Sequence, residues 1–567
     1  MVTLSINGHS VEVAAGSLLF DSAEVFGIQV PTSCRKQGKC KECVVEVAEG
    51  MDALSERTAA EAHLRGQFRL SCQARVLRDG VRCHTMRRAN MRIERHAYGL
   101  PVGRFVGQAY VPGVPSGSTF SGGASVDANA GLVLDPAVTR RGESILLDGE
   151  EIARSTGPIH GLAMDLGTTT VVLRLFDLET GELIADTSFE NPQRFGGSDV
   201  MSRIAYDEEH RGLLMRTLAG YLSRAIEGLP VDSRSIYELV VVGNSTMRDL
   251  FFGKSVYTIG QNPYRSITEI EMGAGVRTST SLVSDGRRSL LPIHPRARVY
   301  GLPILSGHVG ADAAACMLAV DIANEDRLIA VMDIGTNTEL ILGNRHRILA
   351  ASCPAGPAFE GGAISCGMPA LEGAIEDVAI REDGSFELGV IGDGPAQGIC
   401  GSGLVDLMSE LLRTERMNSM GRFEDAGPIE VDAENGIRFL ESDVNELAQA
   451  KGANVAGLQV IASAYGIDFE AIDVFYLAGG FGRHLKVDAS RRIGLIPNLP
   501  DERIVQVGNA AIEGACLALL SRRERERLES LVKRVEHCRL ETHPDFFDFF
   551  VEGCQFKAVE SAHRVET

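Results

Sequence analysis

The chain has 567 residues, 44% of them hydrophobic, and a formal net charge of −20. That length accommodates several domains with sizeable cores, and that charge excludes nucleic acid as a partner, because phosphate binding needs a basic surface. The N-terminus lacks an apolar signal segment, no run of about 18 apolar residues occurs, and twelve cysteines in so long a chain are no disulfide scaffold. The expected compartment is the reducing cytoplasm, with no membrane span.

Val2–Ile6 alternates, Asn7-Gly8 is a hairpin signal and Ser10–Val13 alternates again. Ser17–Phe26 has helical spacing with Gly27 as its stop. Then comes Cys34-Arg-Lys-Gln-Gly-Lys-Cys40-Lys-Glu-Cys43, the strand Val44–Val47 and, further on, Cys72 in Leu-Ser-Cys-Gln. A [2Fe–2S] cluster needs this pattern: a short loop wraps one side so that sulfurs converge on two irons, and a distant strand end closes the other. Cys34, Cys40, Cys43 and Cys72 are therefore the expected metal ligands. Gly38 lies where backbone must pass close to the inorganic sulfides. The competing structural zinc site fits less well, since zinc ribbons usually pair two C-x2-C knuckles and Cys72 has no such partner. Cys83 falls outside the pattern and reads as a plain thiol. Hairpin, helix, metal loop and strand form a β-grasp order over residues 1–85, and this segment resembles [2Fe–2S] ferredoxins.

Residues 86–158 read as a flexible linker with a candidate small intermediate domain. Arg87–His96 is a local basic patch, either a solvated face or a docking site. Residues 111–123 are rich in Gly, Ser and Pro and read as a tether, which suits a mobile carrier. Ser144–Ile152 predicts a hairpin around Asp148-Gly149.

A repeat organises residues 159–556. Gly161-Leu-Ala-Met-Asp165-Leu-Gly167-Thr168-Thr169-Thr170 returns as Ala330-Val-Met-Asp333-Ile-Gly335-Thr336-Asn337-Thr338, 168 residues later. Each copy follows an apolar strand, leads into another and then meets a turn, so two similar subdomains are expected. Glycine lets backbone N–H groups approach an anion, the hydroxyls add donors, and the aspartate can hold Mg²⁺. Two copies predict a nucleotide held between two lobes. Asn244, Ser245 and Thr246 follow the strand Leu239–Val242, at the end where α/β proteins place ligand contacts. Gly401 and Ser402 lie in one Gly-rich turn. Gly479, Gly480 and Gly482 lie in another and are candidates for close approach to a nucleoside. Neither turn has the order of a Walker A loop.

On these motifs the segment resembles the actin/Hsp70/sugar-kinase ATPase superfamily. More narrowly, Asn191-Pro-Gln193, Gly356-Pro-Ala-Phe-Glu-Gly361 and Gly398-Ile-Cys-Gly-Ser-Gly403 extend the likeness, and the whole chain is similar to the ATP-dependent reductive activators of corrinoid proteins. The connection between the two halves is short for that family's middle domain. The resemblance implies a multidomain α+β and α/β fold: a β-grasp ferredoxin domain, a flexible linker, a duplicated actin/Hsp70-like (ribonuclease H-like) ATPase domain and a tail over 557–567. It implies ATP, Mg²⁺ and a [2Fe–2S] cluster as cofactors, and transfer of one electron to a Co(II) corrinoid protein from an unidentified low-potential donor. Asp165 and Asp333 would manage Mg²⁺, the loop hydroxyls would hold phosphate, and Asp312 is the candidate for positioning the hydrolytic water. Ser365, in the small-residue loop 353–367, is the candidate for contacting the corrinoid side. The alternatives are an ATP-gated donor to another metalloenzyme such as a radical dehydratase, a redox-sensing small-molecule kinase, and a nucleotide-dependent redox sensor or scaffold. Gly508–Gly514 reads as a helix start, and Arg522–Arg527 as a charged helix face. The phenylalanines of 546–550 read as a buried or subunit-facing strand, through which a homodimer would form.

Overall fold

The computed structural model describes residues 1–86 apart from 26, 29 and 33, then 134–392, 394–480 and 482–561. The basic stretch 87–96 and the tether 111–123 lie outside the described residues. The chain divides into two compact units, the first formed by residues 1–89, 137–179 and 183–301, the second chiefly by Leu302–Thr567.

The first unit begins with β1 (Val2–Ile6), β2 (His9–Val13), α1 (Leu19–Val25), β3 (Val44–Glu49), β4 (Phe68–Leu70) and β5 (Val81–Thr85). Their order in the sheet, β2-β1-β5-β3-β4, is the expected β-grasp. Asn7 and Gly8, at φ 50° and 83°, form the β1–β2 turn that the right-handed twist of a hairpin favours. Leu19, Phe20 and Ala23 of α1 are buried, and Cys83 is a core thiol on β5. An ion pair lies inside this domain: Arg69 Nε donates to Glu61 Oε1 at 2.7 Å, with both side chains buried.

A small sheet of β6 (Val138–Arg141), β7 (Ser144–Leu147) and β8 (Glu150–Arg154) follows, with the β7–β8 turn at Asp148-Gly149. The first lobe comprises β9 (His160–Leu166), β10 (Thr170–Asp177), β11 (Leu183–Glu190), α2 (Val200–Glu209), α3 (Leu213–Glu227), β12 (Ile236–Val242), α4 (Ser245–Phe251), α5 (Ile267–Gly273), β13 (Leu282–Asp285) and β14 (Arg298–Gly301). Its sheet runs β11-β10-β9-β12-β14-β13, with β9, β12 and β14 parallel. The β-grasp domain is not separate from this lobe, because one apolar core runs from Val2 through Met86 and Leu162 to Val299. Tyr221 of α3 donates to the Val44 carbonyl at 3.1 Å, and Tyr206 of α2 to the His63 carbonyl at 2.9 Å. Arg194 pairs with Glu46 of β3 at 3.3 Å. The sequence predicted a mobile carrier; here the domain sits docked.

The second unit contains α6 (Ala311–Ala319), β15 (Ile329–Ile334), β16 (Thr338–Gly343), β17 (Ile348–Cys353), β18 (Ala374–Ile380), β19 (Phe386–Val390), β20 (Gly398–Ile399), α7 (Gly401–Arg413), β21 (Ile429–Asp432), β22 (Ile437–Phe439), α8 (Glu441–Tyr465), β23 (Val474–Ala478), α9 (Val487–Ile493), β24 (Ile504–Gly508), α10 (Ala510–Leu520), α11 (Arg522–Leu531), β25 (Glu536–His537) and α12 (Phe546–Gly553). Its main sheet, β24-β23-β15-β16-β17-β25, repeats the first-lobe order. Three antiparallel strands begin each sheet, and two parallel strands extend it from the central one. Helix α10 packs on α6 so closely that a Cβ on Gly514 would lie 2.1 Å from the Ala315 carbonyl. The phenylalanine-rich segment is the helix α12 and not a strand. Its rings recur at i, i+3 and i+4: Phe546 and Phe549 face the core while Phe547 is exposed, which is helical periodicity. No described helix is long and apolar enough to cross a membrane.

Candidate functional site

The four expected ligand thiols meet at the β-grasp loop as two pairs. Cys43 and Cys72 hydrogen-bond each other, which pulls the Cys72 thiol down to about 6 and pushes Cys43 up. Burial raises the Cys34 thiol, but backbone N–H groups of Cys40, Lys39 and Gln37, with the Cys40 side chain, hold it at about 7. Thr32 Oγ1 lies 4.0 Å from the sulfurs of both Cys34 and Cys40. Two thiol pairs match two irons with two protein ligands each. The loop is wound by left-handed backbone at Arg35, Lys36, Gly38 and Lys41 (φ 51–69°), which turns N–H groups inward. A Cβ on Gly38 would lie 2.9 Å from that of Ala60.

The first phosphate loop, Gly167–Thr170, joins β9 to β10. Gly167 N–H donates to the Thr170 carbonyl at 2.9 Å, and a Cβ on Gly167 would lie 2.7 Å from that oxygen. Buried Thr168 accepts from Asn244 Nδ2 at 2.8 Å, and Asn244 also caps α4 by accepting from Met247 N–H. Two further residues grip the loop's backbone: Asn191, the first residue of the Asn-Pro-Gln motif, and Arg203, which no motif marks. Arg203 of α2 donates to the Thr168 carbonyl at 2.7 Å, and Asn191 donates to the Gly167 carbonyl at 2.8 Å. Both are 0% exposed, and an arginine within a mixed helical sequence carries no local signal of that burial. Ser245 and Thr246 are buried, and Thr246 Oγ1 has no hydrogen-bond partner. Asp165 is half-buried opposite Val172 of β10.

The second loop, Gly335–Thr338, joins β15 to β16 with Asn337 half-buried at its tip. Here Asp333 stands directly opposite a second carboxylate, Glu339 of β16. Like charges in facing positions destabilise a sheet unless one is neutralised. Burial pushes Asp333 up to about 6 against a hydrogen bond from the Cys316 thiol (3.3 Å). Burial and the charge of Asp312 hold Glu339 well above the carboxylate range. Asp312 lies one turn before Cys316 on α6, so the structure brings Asp312, Asp333 and Glu339 together. Ser352 donates to Glu339 Oε1 at 3.1 Å, while Glu339 Oε2 and Thr338 Oγ1 are buried without a hydrogen-bond partner. Glu339 was missed as a site residue; a carboxylate within the apolar run Leu340–Leu342 and its strand marks it.

Thr336 donates to Glu360 Oε2 at 2.6 Å, and its carbonyl accepts from Gly356 N–H at 2.9 Å, so the small-residue loop 353–367 is tied to the second phosphate loop. Ser365 is placed elsewhere in that loop. Its N–H and Oγ both donate to the Asp443 carboxylate of α8, at 2.8 and 2.6 Å, and Asp443 Oδ2 also accepts from the Leu440 N–H at 3.0 Å. Gly401 and Ser402 begin α7 and are buried, with Ser402 Oγ 3.4 Å from the Cys400 sulfur. Gly479 follows β23 at φ 110°, where a Cβ would lie 2.3 Å from the Ile334 carbonyl. Gly480 is in the same turn, and the Gly482 carbonyl accepts from Gln506 at 2.8 Å. In the first lobe Gly243 takes the same place: φ 146°, and a Cβ 2.4 Å from the Leu166 carbonyl.

Three family profiles match the chain: a 2Fe-2S iron-sulfur cluster binding domain over residues 2–77, a RACo middle region over 160–325, and the C-terminal domain of RACo, the ASKHA domain, over 327–565. The lobe carrying the first phosphate loop is thus the counterpart of the middle region, which therefore follows residue 158. The chain is 28% identical over 597 aligned residues to the corrinoid activation enzyme RamQ of Eubacterium limosum, covering 97% of this chain and 98% of that protein. It is 25% identical over 433 residues to the [Co(II) methylated amine-specific corrinoid protein] reductase of Methanosarcina barkeri, covering 69% of this chain and 76% of the relative. A solved structure named reductive activator for corrinoid, iron-sulfur protein superposes with a TM-score of 0.66 at 26% identity, covering 98% of this chain and 99% of its own.

Proposed function

The chain belongs to the family of ATP-dependent reductive activators of corrinoid proteins, and we propose that it works as one, using ATP to drive a single electron to the Co(II) corrinoid of a partner protein and regenerate Co(I). The observation that carries this reading is the pairing, in one chain, of a two-by-two thiol loop with two phosphate loops.

A bound [2Fe–2S] cluster supplies a store for one electron, held by Cys34, Cys40, Cys43 and Cys72. Co(I) is strongly reducing, so delivery from an ordinary ferredoxin potential is uphill. Each ~0.1 V of deficit costs roughly 2.3 kcal/mol for one electron, which ATP binding or hydrolysis supplies by favouring one of two conformations. The N–H and hydroxyl groups of Gly167–Thr170 and Gly335–Thr338 hold phosphate oxygens. Asp165 and Asp333 would hold Mg²⁺, which would neutralise phosphate charge, and Asp312, with Glu339, would orient the attacking water. The orphaned hydroxyls of Thr246 and Thr338 and the free oxygen of Glu339 suit groups that receive a ligand. The turn of Gly479, Gly480 and Gly482 is assigned to the nucleoside. Because Glu360 and Gly356 hold Thr336, a change at the second loop reaches the small-residue loop that is assigned to the partner.

We infer a reducing cytoplasm, which suits a chain whose cysteines beyond the four cluster ligands form no disulfide. A homodimer contact is assigned to the exposed Phe547 and Val551 of α12. The test is to mix chemically reduced holoprotein with a Co(II) corrinoid protein and Mg-ATP. Growth of Co(I) absorbance that requires ATP supports the proposal; its absence with a competent corrinoid protein rejects it.

A further inference from the structure

The two sides of the cluster loop differ. Cys40, Cys43 and Cys72 are 8%, 1% and 3% exposed, whereas Cys34 is half-buried. Helix α3 closes the Cys43 side: Thr217 donates to the Lys41 carbonyl at 3.4 Å, Tyr221 donates to that of Val44, and Gly220 lies against Glu42 and Pro31. Electron transfer weakens steeply with distance, so the short path to solvent runs past Cys34.

Four cations lie on this loop, and two are engaged internally. Lys36 bridges Asp21 and Glu24 at 2.6 and 3.0 Å, and Lys41 donates to the Ala60 carbonyl. Arg35 follows Cys34, and Lys39 precedes Cys40 and turns its backbone N–H to the Cys34 sulfur; both are exposed, and neither has an ion-pair partner among the described residues. Arg35 stands at left-handed backbone, φ 51°, and the side chains of both Arg35 and Lys39 are exposed. On a chain of net charge −20, an acidic partner is repelled by most of the surface and attracted at this edge. Charge therefore orients the encounter as well as accelerating it.

Building on the assignment of the four cysteines as cluster ligands, we propose that Arg35 and Lys39 form the docking surface for the electron donor, a reduced one-electron carrier protein with an acidic face. One electron leaves the donor and one is gained at the cluster; no bond or proton moves.

The experiment is stopped-flow reduction of the oxidised, full-length holoprotein by a reduced acidic flavodoxin, at low and high salt. Wild type should slow about tenfold between the two, because screening removes the attraction. The Arg35→Glu/Lys39→Glu protein should slow at least about tenfold at low salt and lose its salt dependence, while Arg35→Lys/Lys39→Arg keeps the wild-type behaviour. Reduction by a neutral small-molecule radical and the cluster potential should be unchanged in all three. Equal flavodoxin rates in wild type and the charge-reversed protein overturn the proposal. So does a shifted potential that accounts for the slower rate, since the cations would then tune the cluster, or a loss confined to Co(I) formation, since the occupant would then be the corrinoid protein. Absence of iron and visible absorbance from the wild-type holoprotein instead overturns the cluster assignment itself.

Discussion

The two phosphate loops occupy the same place in the same strand order, yet each is held by different partners. In the first lobe Asp165 faces Val172, and the loop backbone is gripped by Arg203 and Asn191. Those two residues adjoin Tyr206 and Arg194, which hold the β-grasp domain. In the second unit Asp333 faces Glu339, Asp312 and Cys316 come from α6, and Thr336 is tied to Glu360. We read the duplicated loop as having two jobs: the second stands among the carboxylates Asp312, Asp333 and Glu339, which we assign to chemistry on the nucleotide, and the first is gripped by residues next to those that hold the β-grasp domain.

Removing a cluster ligand should have the largest effect. Cys43→Ser should abolish the visible cluster spectrum and lower electron delivery by more than about 100-fold, because a thiolate is lost from an iron, while nucleotide binding persists by calorimetry. Next comes the contrast between the loops. Asp333→Asn should lower ATP turnover by about 100-fold and Asp165→Asn by about tenfold, in the range of preorganised electrostatic groups. Equal losses, or the reverse order, would break the division of labour.

The β-grasp end of the first unit depends on its buried ion pair. Burial raises Glu61, but Arg69 and the N–H groups of Thr58 and Leu70 together hold it below the ordinary glutamate value. Its stabilisation is present above the unfolded pKa of about 4.3 and is lost as pH falls through the lower folded value. Glu61→Gln strands Arg69 and should destabilise this end by about 3–5 kcal/mol at neutral pH. The variant should also lose that part of the acid dependence in denaturation curves followed at the cluster absorbance. The second unit's unfolding should not move. The smallest effect is expected at Ser365. Its contacts to Asp443 make Ser365→Ala the loss of one hydrogen bond to a carboxylate, costing about 1.5–3 kcal/mol, with Co(I) formation unchanged; a large loss of Co(I) formation at normal stability would instead favour a contact with the partner.

Much of this was legible in the chain itself. The thiols of 34–43 and 72 and the repeated Asp-x-Gly-Thr motif carry their chemistry in local spacing, and the strands flanking them have plain periodicity. What escaped depends on register and distance. Glu339 becomes significant only when strand pairing sets it opposite Asp333. The docking of the β-grasp domain rests on pairs such as Tyr221 and Val44, 177 residues apart, which no local pattern exposes. The α12 segment was misread because aromatic richness suggests a strand, while the i, i+3, i+4 placement of its rings decides for a helix. The hydrogen bond from Ser365 to Asp443, 78 residues on, likewise has no local signature.

The account is tested most directly by recording, in one stopped-flow cuvette, oxidation of the pre-reduced cluster and growth of Co(I) on a Co(II) corrinoid protein. With Mg-ATP the two signals should rise together, one electron for one cobalt, and with Mg-ADP neither should move. Co(I) formed without cluster oxidation, or cluster oxidation at the same rate with either nucleotide, would contradict it.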